Sequence, residues 1–205
     1  MDAIISSITT RVLDFIYIGK EMRLKIIVLF LLCMFTLQSC KQDNYIISVT
    51  DFNKIERDLT EKFGLYSYYT DLSIVYNENI GHVINVVVTD EPESLQMKGW
   101  VKTDDDWKNV SEVSLELKKG RIEDYMFTLN EEVSMDMIEN LVNTSIREIR
   151  EKEEAETPVL GSVSITSPND GDKSKMGYTI EIKSEIGKTF DFFYNLEGDL
   201  IEQWN

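Results

Sequence analysis

His82-Val-Ile-Asn-Val-Val-Val-Thr89 decides the fold. Val83, Ile84, Val86, Val87 and Val88 are all β-branched. Such side chains are stiff about their first torsion and pack well on a pleated surface, so the run predicts a strand. It lacks a clean polar alternation, which predicts a central strand covered on both faces or nearly so. Upstream, Leu72, Ile74 and Tyr76 alternate with Ser73 and Val75, and Asn77-Glu-Asn-Ile-Gly81 supplies turn chemistry between the two strands. Further upstream, Phe52, Ile55, Leu59 and Phe63 recur at three- and four-residue spacing. Asp51 can cap the start of that stripe and Gly64 can close its end, which predicts a helix over 51–63.

Downstream, Asp90-Glu-Pro-Glu-Ser94 breaks the strand, a weaker strand covers 95–102, and Thr103-Asp-Asp-Asp106 is a polar turn. Val113, Leu115 and Leu117 alternate with Ser114 and Glu116, and Val110 precedes them. With Lys118-Lys-Gly120 as a turn and 122–129 as the returning arm, this predicts a hairpin. A second helix opens near Ser134, with Ile138, Leu141, Val142, Ile146 and Ile149 as its stripe, and stops before Pro158. Strands are then expected at about 160–166, 176–184, 188–195 and 199–204, with Gly187 and Gly198 in turns. On a regular strand Phe193 points away from Phe192 and Tyr194.

The expected fold class is therefore α+β: helix then four or five strands, followed by helix then four strands. This divides the chain into two helix-plus-antiparallel-sheet halves, 51–130 and 131–205, with Gly120 and Gly198 in the closing hairpin of each. The order resembles the tandem helix-plus-sheet arrangement of β-lactamase-inhibitor-like and PepSY-like secreted proteins. The alternative is one antiparallel sheet curled over helices, as in cone-shaped NTF2-like domains.

The first 50 residues carry a different message. Arg23 and Lys25 precede Ile26 to Leu37, an apolar run of 12 residues. A membrane-spanning helix needs about 20, so the run has the length of a signal-peptide core with its basic flank on the correct side. It ends Leu37-Gln38-Ser39-Cys40, which resembles the lipobox of bacterial lipoproteins: an aliphatic residue at −3, a small one at −1 and cysteine at +1. That resemblance implies cleavage before Cys40, a diacylglycerol thioether on its sulfur, and an acylated N-terminus with fatty acids such as palmitate. Two or three such chains hold a protein stably on a membrane. Cys33 follows the bulky Leu32 and does not fit the same pattern. Residues 22–39 are read as the signal peptide and 40–50 as a tether. Residues 1–21 are read as an untranslated upstream piece, with a start at Met22, or as an extended n-region.

The whole chain holds 21 basic and 37 acidic residues, of which 4 and 3 precede Lys41, leaving 17 and 34 in the mature part. Such a surface repels nucleic acid, whose recognition needs Lys and Arg at the phosphates, and also repels anionic headgroups. Membrane association would come from the lipid on Cys40, and a protein partner, if any, would be basic. Both cysteines, Cys33 and Cys40, lie in the leader region, so the mature part has no disulfide, cysteine nucleophile or thiolate metal site.

Neither a nucleotide-binding glycine motif nor a Gly-x-Ser-x-Gly elbow occurs, and His82 is the sole histidine. Asp104, Asp105 and Asp106 lack the alternating spacing of a calcium loop. No catalytic residue, metal site or cofactor is assigned. Trp100 and Trp107 flank those three aspartates, and together the five form the candidate partner-binding surface. The expected function is that of a lipid-anchored bacterial envelope protein, at the outer membrane, acting as a non-enzymatic binding or inhibitory module. The alternatives are an accessory or structural envelope lipoprotein without a dedicated ligand, and a carboxylate-dependent hydrolase.

Overall fold

The computed structural model describes residues 51–204 apart from 78, 105, 130, 153–156 and 186. The expected signal peptide, Cys40 and tether lie outside the described residues. Those described belong to one compact unit, Ile46–Asn205.

Helix α1 covers Phe52–Phe63 and helix α2 covers Met135–Lys152. The expected caps of α1 are in place: the Asp51 carboxylate accepts from the Lys54 amide at 2.9 Å, and Gly64, at φ 93°, donates back to Thr60. A positive φ of that size suits glycine, which has no Cβ to clash. Strands β1 Tyr68–Asn77, β2 Gly81–Thr89, β3 Gln96–Thr103 and β4 Asp106–Ser114 follow α1. After the short β5, Phe127–Thr128, and then α2, come β6 Val159–Thr166, β7 Gly177–Lys183, β8 Thr189–Asn195 and β9 Leu200–Trp204.

All these strands form one open antiparallel sheet in the order β4-β3-β2-β1-β6-β7-β8-β9, with β5 beside the start of β1. The class is α+β, as the periodicities predict. The ladders align residues across the sheet on the helix-covered face. Lys102, Ile84, Ile74, Val163, Ile180 and Phe192 stand in one continuous row, and every one of them is buried. Ile138, Val142, Ile146 and Ile149 of α2 belong to the same buried cluster, as do Phe52, Ile55 and Leu59 of α1. Removing that apolar surface from water is the main stabilising term.

Phe193 does point away from Phe192 and Tyr194. Both neighbours are buried, while Phe193 is half-buried across Gly177. A Cβ on Gly177 would meet the Tyr194 carbonyl oxygen at 2.1 Å, so only glycine allows this approach.

The expected hairpin over 110–129 is not formed. Strand β4 begins earlier, pairs with β3 instead, and ends at Ser114. Residues 122–125 form a 3-10 turn, and only Phe127 and Thr128 return to the sheet, where they pair with Tyr69 and Tyr68. Gly120 accordingly lies outside any strand, and the closing turn of the first meander is at Asp104. The buried Tyr125 explains why the segment leaves the sheet. Its hydroxyl donates to the Lys119 carbonyl at 2.8 Å and accepts from the amides of Lys118 and Lys119 at 3.1 Å, which folds the loop on itself. Met97, Tyr125 and Met126 are buried but stand outside the main cluster. Met97 alternates with Lys98 and Trp100, so it belongs to the opposite face of the sheet.

One buried polar link ties α2 to β8. The Ser145 hydroxyl donates to the Leu141 carbonyl at 2.9 Å, which leaves Tyr194 as the donor to Ser145 at 2.8 Å. Ser145→Ala strands the buried tyrosine hydroxyl and is expected to cost about 1–3 kcal/mol, whereas Tyr194→Phe leaves Ser145 satisfied and costs about 1 kcal/mol. Urea titration should show a lower midpoint at constant m for both, with the larger drop in Ser145→Ala.

Candidate functional site

Strand β3 is built to present one face. Gln96, Lys98, Trp100 and Lys102 alternate along it and, through their partners Val88, Val86 and Ile84, stand on the face that α1 partly covers. Helix α1 ends at Phe63 before it reaches the start of β3. The Phe63 ring therefore meets Trp100 edge-on at 5.8 Å and Trp107 at 4.9 Å. Such edge-to-face pairs are favoured by the ring quadrupoles. Lys62 sits 4.4 Å over the Trp100 ring and Lys102 lies 5.9 Å from the Trp107 ring. Lys102 also pairs with Asp58 of α1 at 2.5 Å.

The two tryptophans read from sequence are thus brought together, with Phe63 between them, and both are half-buried against the core. Of the acidic residues, Asp104 and Asp106 are not part of that aromatic cluster. Asp106 pairs with Thr103 and alternates with Trp107, so it faces away from the aromatics. Asp104 is exposed in the β3–β4 turn at φ 56°, a conformation that two-residue hairpin turns require. Asp105 lies outside the described residues. Sequence reading missed Phe63, Lys62, Lys98 and Lys102. The signal for the lysines was present, since Lys98, Trp100 and Lys102 follow the period of two.

Two recesses flank the cluster. The larger, about 500 Å³, opens between the last turn of α1 and the β2–β3 connection, over Trp100 and Lys98. The smaller, about 250 Å³, lies at the other end of β3 and includes Asp51, Asp58, His82, Lys102 and Asp104. Among the described residues no group of His, Cys, Asp or Glu is placed to hold a metal ion.

No family model, curated protein or solved structure matches this chain. The site therefore rests on its own chemistry. Among the described residues no helix is long and apolar enough to cross a membrane.

Burial holds His82 below the usual imidazole value of about 6.5. A depressed folded value means that the unfolded chain takes the proton first as pH falls through that range. This group therefore removes stability on acidification, and its contribution is present above the unfolded value. Because the chain has a single histidine, a proton NMR titration reads it without assignment. The expected midpoint lies below 6.5, and a midpoint above it would reverse the sign of this pH dependence.

Proposed function

We propose that this chain is a bacterial envelope lipoprotein, anchored at the outer membrane through Cys40, whose mature domain is a non-enzymatic binding or inhibitory module made of two helix-plus-sheet halves. The strand order supports the division: β1 and β6, the first long strands after each helix, meet at the centre, and the later strands of each set run outwards to opposite edges. The observation that carries the binding role is the Trp100–Phe63–Trp107 cluster with a recess beside it. Recesses of about 300–1,000 Å³ with an aromatic wall and a few polar groups are the usual form of ligand sites.

The half-burial of both tryptophans favours the second reading, an accessory lipoprotein whose aromatics only pack. Affinity purification of the full-length chain from envelope extract separates the two. A binding module captures a partner that Trp100→Ala and Trp107→Ala lose while remaining folded; an accessory protein captures none that depends on them. Cys40→Ser tests the anchor: lipid labelling and processing should both disappear, and their persistence would overturn it.

A further inference from the structure

The larger recess carries charges of both signs that do not pair with one another. Its floor is the indole of Trp100 with Val88 and Phe63, and Lys62 and Lys98 stand over and beside it. Asp90 and Glu91 line it from the end of β2. None of these four charged side chains has an ion-pair partner among the described residues. Lys102, Lys152, Lys173, Lys175 and Lys183 each pair with a carboxylate, whereas Lys54, Lys108, Lys118 and Lys119, like Lys62 and Lys98, have no ion-pair partner among the described residues. What sets the recess apart is that unpaired charges of both signs share it with an aromatic ring.

The other polar groups of the recess are already engaged. The Ser67 hydroxyl donates to the Phe63 carbonyl, and Ser94 donates to the Glu91 carbonyl at 2.7 Å. Thr89 accepts from the Glu91 amide at 3.1 Å. The Gln96 side-chain oxygen accepts from Ser114 at 3.0 Å, which leaves its amide nitrogen as a donor. Two ammonium groups and an amide thus offer donors, two carboxylates offer acceptors, and an aromatic floor lies with them in one recess.

We infer that this recess binds a small zwitterion with an apolar side chain, such as a free amino acid or a dipeptide. The carboxylate of such a ligand meets Lys62, Lys98 and the Gln96 amide. Its ammonium meets Glu91, with Asp90 beside it, and its apolar side chain takes the place over Trp100 that Lys62 leaves on turning to the carboxylate. A ligand of both signs uses every charge that lines the recess, whereas polyanions are repelled by its two carboxylates. The inference rests on the binding-module reading of the same aromatic cluster and names its ligand.

The test is calorimetric titration of the purified full-length chain with three probes of like size: the dipeptide Leu-Phe, phenylpropionate with only the negative charge, and phenethylamine with only the positive one. The dipeptide is expected to bind at least tenfold more tightly than either analogue. Lys98→Met and Glu91→Gln should each weaken it at least tenfold, with unchanged thermal midpoints. Absence of dipeptide binding, binding no tighter than that of phenylpropionate or phenethylamine, or a dipeptide affinity unmoved by both substitutions would overturn the inference. Capture of a protein partner lost in Trp100→Ala, with no dipeptide binding, would overturn the ligand class and leave the binding module standing.

Discussion

Phe192→Ala is expected to lower the stability of the domain by about 3–5 kcal/mol. Phe192 is fully buried at the centre of β8, between Ile180 of β7 and Gln203 of β9. Its ring stacks on Tyr194 at 6.2 Å, beneath the layer that holds α2. Truncation removes the transfer energy of the ring and leaves a cavity that the paired strands on both sides cannot close. For a chain of this size each kcal/mol shifts the thermal midpoint by about 2–4 °C, so a loss near 10 °C is expected. Phe193→Ala is the internal control. That ring lies half-buried on the opposite face, and its loss should cost less than half as much. Equal losses at 192 and 193 would show that the two rings do not lie on different faces.

Asp58→Ala is expected to cost about 3 kcal/mol for a different reason. Lys102 occupies a place in the cross-sheet row that is otherwise apolar on its buried side, from Ile84 to Phe192. Its side chain is 8% exposed and that of Asp58 is 21% exposed. Breaking a buried pair by removing one partner costs about 3–5 kcal/mol, because the remaining ion stays largely buried without its paired counter-charge. The partial exposure of Asp58 puts this case at the lower end. Replacing both members tells the two costs apart: Asp58→Ala with Lys102→Met removes the stranded charge, and the double variant should recover the parent stability or exceed it. A double variant as unstable as Asp58→Ala alone would mean that the loss comes from α1 packing and not from the ammonium.

Much of this fold was legible because local signals agreed. In helix 52–63 the apolar stripe, the Asp51 cap and the Gly64 stop all specify the same boundaries. The last four strands read within a residue or two because alternation is punctuated by Gly187 and Gly198, both at positive φ. The 110–129 segment misled for a physical reason. Alternation runs on through Leu115 and Leu117, yet a strand needs a neighbour as well as a pattern. Val113 finds Met97 across the ladder, whereas Tyr125 gathers the next stretch into a loop. The site divides in the same way. Trp100 and Trp107 stand out in the sequence, and the period of two along β3 places Lys98 and Lys102 with them. Phe63 joins them only through the packing of α1, and Asp106 is next to Trp107 in sequence but stands on the opposite face of β4.

The central ladder also sets the order in which the chain can fold. Along the main path of the sheet every other ladder joins strands consecutive in sequence, which close short loops and form on the microsecond scale of hairpins. β1 and β6 are the exception: Asp71 and Thr166, hydrogen-bonded across that ladder, stand 95 residues apart. The entropy of closing so long a loop must be met before its contacts return anything, so two meanders should assemble first and join along this seam last. Val163→Ala, buried in the seam beside Ile74, should then accelerate unfolding and leave the folding rate nearly unchanged. A slowed folding limb in that variant would place the seam in the nucleus instead.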